Sequence, residues 1–250
     1  MTDLHDNNLV RLQFYLTGEH PCTYLSGRMA RSQVATPAHK VNAAVYGELL
    51  HHGFRRSGYH AYRPYCDQCR ACVPVRVRVE GFEASRTQRK VLNRNANLRA
   101  SLVPPRFDES HFSLYQRYQT ARHPGGGMDH DDREQYTEFL LASHVDSWLL
   151  LFHEGEALRM VSVIDAVADG LSAVYTFYDP DCQRRSLGVY NVLWQIGLAH
   201  SLKLPYLYLG YWIEGSRKMA YKNQYQPLEM LVDGVWILPS GHRTAPVEEE

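Results

Sequence analysis

No apolar run in the 250 residues approaches the roughly 20 that a bilayer-spanning helix requires. The opening residues, MTDLHDNNLV, have no basic stretch leading into an apolar one, so no secretory leader is read there. The expectation is a soluble, cytoplasmic protein without a membrane partner. Gly-x-Ser-x-Gly is absent, and the 13 histidines form no His-Glu-x-x-His, which removes the serine-elbow hydrolases and the common zinc peptidases. There is no repeat at a fixed period and no low-complexity tract. Five cysteines, an odd count without a leader, make a poor disulfide framework. Net charge is also lacking, since 27 Lys and Arg balance 27 Asp and Glu.

That balance hides a segregation. Residues 1–107 hold 16 basic and 7 acidic side chains, whereas residues 108–250 hold 11 and 20. The densest basic stretch runs from Arg76 to Arg106 and includes Arg89, Lys90 and Arg94. Charge divided along a chain suits either a polyanionic partner for one half or pairing between the halves.

Periodicity divides the chain at the same place, into a basic, cysteine-bearing unit over 1–106 and a second unit over 107–250. In the first, 9–16 reads as a strand. Residues 37–52 read as a helix, with Pro37 in its first turn and Val41, Val45, Leu49 and Leu50 in one stripe. Tyr59–Tyr62 and Val73–Val79 read as strands; the second alternates strictly and puts Arg76 and Arg78 outward. Residues 86–99 read as a basic helix and Ser101–Val103 as a strand. In the second unit, 108–122 and 131–143 look helical around a glycine-rich hinge or binding loop at His123–Met128, and the tail APVEEE reads as disordered. Strands then follow at Ser147–His153, Leu158–Asp165 and Leu171–Tyr178. They lead to a helix over Leu187–Leu202, a strand at Tyr206–Leu209, a helical segment at Arg217–Gln224 and a hairpin turning on Asp233-Gly234. This is an α+β pattern of the acetyltransferase-like (GNAT) kind, carried by the second unit behind an N-terminal cysteine-bearing α+β domain. In that fold the turn before the long helix binds an acyl donor's phosphates. Here the turn carries Arg185 and Gly188, with only part of the usual glycine spacing.

Several segments in order resemble the arginyl-tRNA–protein transferase family. They are Pro21-Cys22-Thr23-Tyr24-Leu25, Gly53-Phe54-Arg55-Arg56-Ser57-Gly58, and Tyr62-Arg63-Pro64 leading into Cys66-x-x-Cys69-x-x-Cys72-Val73-Pro74. Tyr175-Thr176-Phe177-Tyr178-Asp179-Pro180, Arg185-Ser186-Leu187-Gly188, Tyr208-Leu209-Gly210-Tyr211-Trp212-Ile213 and Lys218-Met219-x-Tyr221-Lys222 complete the set. The bacterial branch, which attaches leucine to N-terminal Asp or Glu, is the most similar. The resemblance implies aminoacyl-tRNA as donor, with leucyl-tRNA ahead of arginyl-tRNA. It also implies acceptor proteins that begin with Asp or Glu, and a role in the N-degron route to degradation. Cys22 departs from the eukaryotic Cys-x-x-Cys, being followed at that spacing by Leu25.

Such a transfer sets an α-amine on an ester that is already activated. The amine's pKa of about 7.7–8.0 leaves part of it neutral at pH 7, and holding the reactants together supplies most of the acceleration. No cofactor is needed for this chemistry. Arg55 and Arg56 are candidates for the acceptor carboxylate. Asp165 is a candidate for the attacking ammonium, and Tyr178 and Tyr211 for the oxyanion or the terminal adenine. Arg89, Lys90, Arg94, Lys218 and Lys222 are candidates for tRNA phosphates. Cys22, Cys66, Cys69 and Cys72 would form a structural zinc site, an iron–sulfur centre or a group of reduced thiols. An acetyl-CoA-dependent N-acetyltransferase and a non-enzymatic RNA-binding module are the competing readings.

Overall fold

The computed structural model describes residues 11–122 and 132–239, so the expected loop at His123–Met128 and the APVEEE tail lie outside the described residues. The chain begins with β1 (Gln13–Leu16), the short pair β2 (His20–Pro21) and β3 (Met29–Ala30), and β4 (Ser32–Thr36). Helix α1 (Ala43–His51) starts at Asn42, whose side chain accepts from the Val45 amide. Pro37, expected in that helix's first turn, instead precedes a separate 3-10 turn at Ala38–Lys40. Strands β5 (Arg55–Ser57) and β6 (His60–Pro64) complete an antiparallel sheet of order β1-β4-β6-β5.

Next come β7 (Val73–Arg78), α2 (Arg86–Arg94), β8 (Arg99–Val103), α3 (Glu109–Arg122) and a one-turn α4 (Arg133–Tyr136) that relaxes into a π turn at Thr137–Leu141. Strands β9 (Asp146–Glu154), β10 (Ala157–Val167) and β11 (Gly170–Tyr178) form a meander. Helix α5 (Leu187–Ser201) crosses over to β12 (Tyr206–Trp212), and α6 (Arg217–Ala220), β13 (Leu228–Val232) and β14 (Val235–Ile237) follow. The large sheet runs β14-β13-β7-β12-β11-β10-β9-β8, with β11–β12 parallel and the other pairs antiparallel.

Two of its strands, β7 and β8, precede residue 107, so the larger sheet crosses the boundary read from the sequence. The reason lies in β7. Val75 and Val77 are buried, and Arg76, expected to face outward, is buried as well. Its Nε donates to Glu229 at 2.7 Å, and its guanidinium lies 3.6 Å from the Tyr206 ring centre and 4.3 Å from that of Trp236. A strand with valines on one face and a paired, ring-covered cation on the other belongs inside a sheet.

Alternation then assigns the faces. Val75, Val77, Leu150, Phe152, Met160 and Leu207 point to the side packed by α2 and α5. Leu149, Leu151, Val161, Val163 and Phe177 point to the side packed by α3 and the π turn. Farther along the sheet, Val167 and Tyr208 meet α1 and the small sheet. That third contact brings β5 against the middle of the large sheet.

Candidate functional site

Strands β11 and β12 pair only at Gly170–Tyr206, Leu171–Leu207 and Ser172–Tyr208. Beyond Ser172 they separate, and β12 bulges between Tyr208 and Gly210 in its pairing with β7. Arg55 enters this opening from β5. Its guanidinium donates to the Ala173 carbonyl and, at 3.4 Å, to Ser172 Oγ. Gly210 lies across from it with φ +78°, and a Cβ there would come within 3.1 Å of Arg55 Nε. Glycine therefore serves twice, taking the left-handed backbone and making room for the cation. Arg55 is buried, yet among the described residues no carboxylate is ion-paired with it.

Lys222 is the second buried cation here. Its Nζ donates to the Tyr211 carbonyl at 2.7 Å and contacts Met219 Sδ at 3.3 Å. Burial, reinforced by the Arg55 charge and opposed by Cys72, lowers its pKa to about 7. Tyrosines surround the two cations. Tyr46 Oη lies 3.4 Å from Ser172 Oγ, and Arg55 acts electrostatically on Tyr46, Tyr62, Tyr211 and Tyr221.

Tyr178, at the end of β11, stands at the same opening. Its ring is 4.9 Å from that of Tyr118 and 5.7 Å from the Arg122 guanidinium. A Cβ on Gly188, in the first turn of α5, would touch the Tyr178 ring at 3.7 Å. Tyr211 differs from expectation. It is buried with its hydroxyl donating to the Gly53 carbonyl at 2.9 Å, so that hydroxyl holds the small sheet to β12 and has no proton left for an oxyanion.

Arg56 and Asp165 also depart from expectation. Arg56 Nε and Nη2 donate to the two Asp165 carboxylate oxygens at 2.9 and 2.7 Å, and Ser147 adds a bond of 2.6 Å. Burial opposes the Arg56 charge, but the bonds to Asp165 outweigh it and leave the pKa above its ordinary value. The Asp165 side chain has no exposed area, and the pair is closed to an incoming ammonium or carboxylate. Arg185, expected to bind anions, is taken up by Asn95 at 3.0 Å, Asn97 at 2.6 Å and Glu154 at 3.0 Å. Lys218 and Lys222 do not share a face. After α6 the backbone tightens into a 3-10 turn over Tyr221–Gln224, so Lys218 is exposed and Lys222 buried. On α2, Arg89, Lys90 and Arg94 are exposed, and Arg94 reaches the Arg184 carbonyl beside the α5 turn.

The four expected cysteines gather. All of them line a cavity of about 210 Å³ together with Tyr24, Tyr62 and Tyr211, and Cys66, Cys69 and Cys72 also line a neighbouring cavity of about 430 Å³. Even so, among the described residues no three His, Cys, Asp or Glu side chains are grouped to hold a metal ion. The protonation of the thiols diverges. Burial and the other three thiols push Cys72 up to about 12. The backbone amide of Ala71, helped by Arg28 and Arg70, draws Cys69 below the ordinary thiol value against a smaller effect of burial. Arg28 Nη1 lies 3.2 Å from Cys69 Sγ.

Tyr46, Tyr62, Ser172, Arg122 and Gly210 belong to this opening but are not singled out by sequence reasoning. Helix periodicity puts Tyr46 next to the apolar stripe of α1, which marks it as core. Tyr62 and Gly210 lie inside the segments that resemble the family but are given no role there, and Ser172 and Arg122 carry no local signal.

The family model for the N terminus of arginine-tRNA-protein transferase matches residues 20–90, and the model for its C terminus matches residues 110–232. The chain is 61% identical over 226 residues to aspartate/glutamate leucyltransferase of Thiobacillus denitrificans, covering 90% of this chain and 94% of that protein. It is 54% identical over 242 residues to the protein of the same name in Chromobacterium violaceum, covering 96% and 100%. Among solved structures, the C-terminal domain of a putative lysylphosphatidylglycerol synthetase from Agrobacterium fabrum superposes with a TM-score of 0.44 at 10% identity, over 57% of this chain and 47% of that one.

Proposed function

The chain belongs to the arginine-tRNA–protein transferase family, in its aspartate/glutamate leucyltransferase branch, and from that premise we propose that it moves leucine from leucyl-tRNA to proteins with N-terminal Asp or Glu. One observation carries the acceptor side of this reading. Arg55 is a buried guanidinium with free donor capacity and, among the described residues, no carboxylate partner, and a carboxylate is the ligand it matches best. An acceptor's Asp or Glu side chain seated on Arg55 brings its α-amine into the opening between β11 and β12.

That opening is the basis for reading the second half of the chain as acetyltransferase-like. A meander, a crossover helix and a parallel strand that parts from its neighbour after three pairs create a slot for an acyl group. The exposed cations of α2, next to the α5 turn, suit the phosphates of the donor's acceptor stem. Tyr178, beside Gly188 and Arg122, offers a ring for the terminal base. Direct attack of amine on ester needs no cofactor, and the N-degron route is the setting such a transfer serves. Among the described residues no helix is long and apolar enough to cross a membrane, and charged tRNA is a cytoplasmic substrate, which supports a cytoplasmic location.

The test is transfer itself. Peptides starting with Asp, Glu or Asn are incubated with leucyl-tRNA or arginyl-tRNA and weighed. Asp and Glu peptides should gain the mass of leucine. Arg55→Ala should raise the KM for the Asp peptide by about 10-fold or more, the worth of one charged hydrogen bond, and leave tRNA binding intact. Equal discrimination of Asp from Asn by wild type and variant would reject Arg55 as the carboxylate site.

A further inference from the structure

The transfer has a proton to dispose of. At neutral pH most of an acceptor's α-amine is ammonium, with a pKa of about 7.7–8.0, and only the free amine attacks. Asp165 is closed off by Arg56, and the Tyr211 hydroxyl is spent on a backbone carbonyl. A group elsewhere in the opening that takes this proton would raise the share of free amine.

Lys222 is a buried nitrogen held by two hydrogen bonds. As a neutral amine it has two N–H bonds and one lone pair. Tyr211 O at 2.7 Å and Met219 Sδ at 3.3 Å take the two N–H bonds, which leaves the lone pair unused. Its place relative to Arg55 is fixed through one peptide unit. Arg55 Nε approaches the Gly210 Cβ position at 3.1 Å, and Lys222 is bound to the carbonyl of the next residue, Tyr211. In an N-terminal Asp the carboxylate and the α-amine are separated by two carbon atoms, so an acceptor held by Arg55 has its nitrogen in this neighbourhood. The charged and titratable groups facing Lys222 are Arg55 on β5, Cys72 ahead of β7 and Tyr221, whose ring centre is 6.0 Å away. Among the described residues no carboxylate pairs with Lys222 to hold its proton in place.

We propose that the Lys222 amine takes the proton from the acceptor's α-ammonium, making it a catalytic residue of the transfer. The proposal rests on the leucyltransferase reading given above. The ammonium N–H bond breaks and its proton passes to Nζ. The freed nitrogen pair forms the bond to the ester carbonyl carbon. The tetrahedral adduct collapses with cleavage of the bond to the tRNA ribose oxygen, which leaves with the second nitrogen proton. Lys222 gives its proton to solvent as product departs, so one proton is released per peptide bond. A pKa of about 7 keeps a large part of Lys222 neutral at the start of each cycle.

The test pairs two acceptors with two variants of the full-length protein. One acceptor is an Asp-starting peptide. The other is the same peptide with an α-hydrazino group for its α-amine, whose attacking nitrogen is already unprotonated at neutral pH. With leucyl-tRNA, Lys222→Met should lower kcat for the amine peptide at pH 7 by up to about 10-fold, the gain available from deprotonating the ammonium share, with little change in KM, and leave the hydrazino peptide near the wild-type rate. Lys222→Arg keeps a donor but cannot give up its charge, and it should behave the same way. Equal losses with both acceptors, or wild-type rates with the amine peptide, would overturn the proposal. Should neither variant fold, the wild-type pH profile decides. The kcat for the amine peptide should rise through a pKa near 7 that stays put when the acceptor's amine basicity is changed. A pKa that moves with the acceptor sinks the idea. If the leucyltransferase reading itself is wrong, wild type leucylates neither peptide, which is a distinct result.

Discussion

Arg55 and Arg56 are adjacent on a three-residue strand, so the pleat sends them to opposite faces and gives them opposite fates. Arg55 meets tyrosines and carbonyl oxygens. Arg56 meets Asp165, Ser147 and the Gly58 and Ala142 carbonyls, which together use its donors. The sequence marks both as carboxylate binders, and the chemistry is right for both; for Arg56 the carboxylate is internal. Removing one member of such a buried pair strands the other, at about 3–5 kcal/mol. Asp165→Asn should therefore cost about that much in urea unfolding, and whatever protein remains folded should keep its KM for the Asp peptide. A catalytic Asp165 would show the reverse, a collapse of kcat at unchanged stability. The thiols divide just as sharply. Alkylation follows the thiolate, so iodoacetamide at neutral pH should label Cys69 first and Cys72 last, as read by peptide mass mapping. If Cys72 reacts as fast as Cys69, the burial that raises its pKa is absent in solution.

Helix α2 is basic and begins where the sequence places it, but it ends at Arg94 and not at residue 99, where β8 has already started. Ser85 and Gln88 form a reciprocal capping box, Val91 and Gln88 turn inward, and Arg86, Arg89, Lys90 and Arg94 face solvent. Its pattern is local and complete within one helix, so it needs no tertiary information. The segment after β12 is the opposite case. Spacing of four suggests that Lys218 and Lys222 share a face, but that rule holds only while the backbone stays α-helical. One helical turn followed by a 3-10 turn rotates Lys222 inward, and only the packing against β12 reveals it. Arg185 misleads in a similar way, because its partners Asn95 and Asn97 lie some ninety residues away. If α2 is the tRNA-binding element, reversing Arg89, Lys90 and Arg94 to Glu should weaken tRNA binding. The plot of log Kd against log salt should also flatten, by about one unit for each phosphate that is no longer neutralised. An unchanged slope would move the tRNA to another surface. Ser85→Ala, by contrast, should cost about 1 kcal/mol of stability and leave the slope alone.

At the scale of the whole molecule, the strand order matters more than the order of segments in the chain. The meander, the crossover helix and the closing hairpin are legible as alternating runs, because each buries its own apolar face. The insertion of β7 between β12 and β13 is not legible, since nothing in VPVRVR names its partners, and outward arginines look like a solvent edge. The insertion makes the basic half of the chain part of the acidic half's core. Arg76 to Glu229 is one such tie, and Tyr211 to the Gly53 carbonyl is another. Charge segregation is then partly spent inside the protein, which is one of the two readings open from composition. It follows that the chain should unfold in one step. Fluorescence and far-UV circular dichroism should trace coincident urea transitions, and a fragment spanning 107–250 should be insoluble on its own. Such a fragment leaves β12 with an unpaired long edge where β7 was and exposes β9 where β8 was, and open, apolar edges aggregate. Adding residues 1–106 as a separate chain should restore solubility by returning both strands. Two separated transitions, or a folded 107–250 fragment, would mean that the shared sheet does not couple the halves. Arg55 would then reach the opening by docking of one independent unit on another.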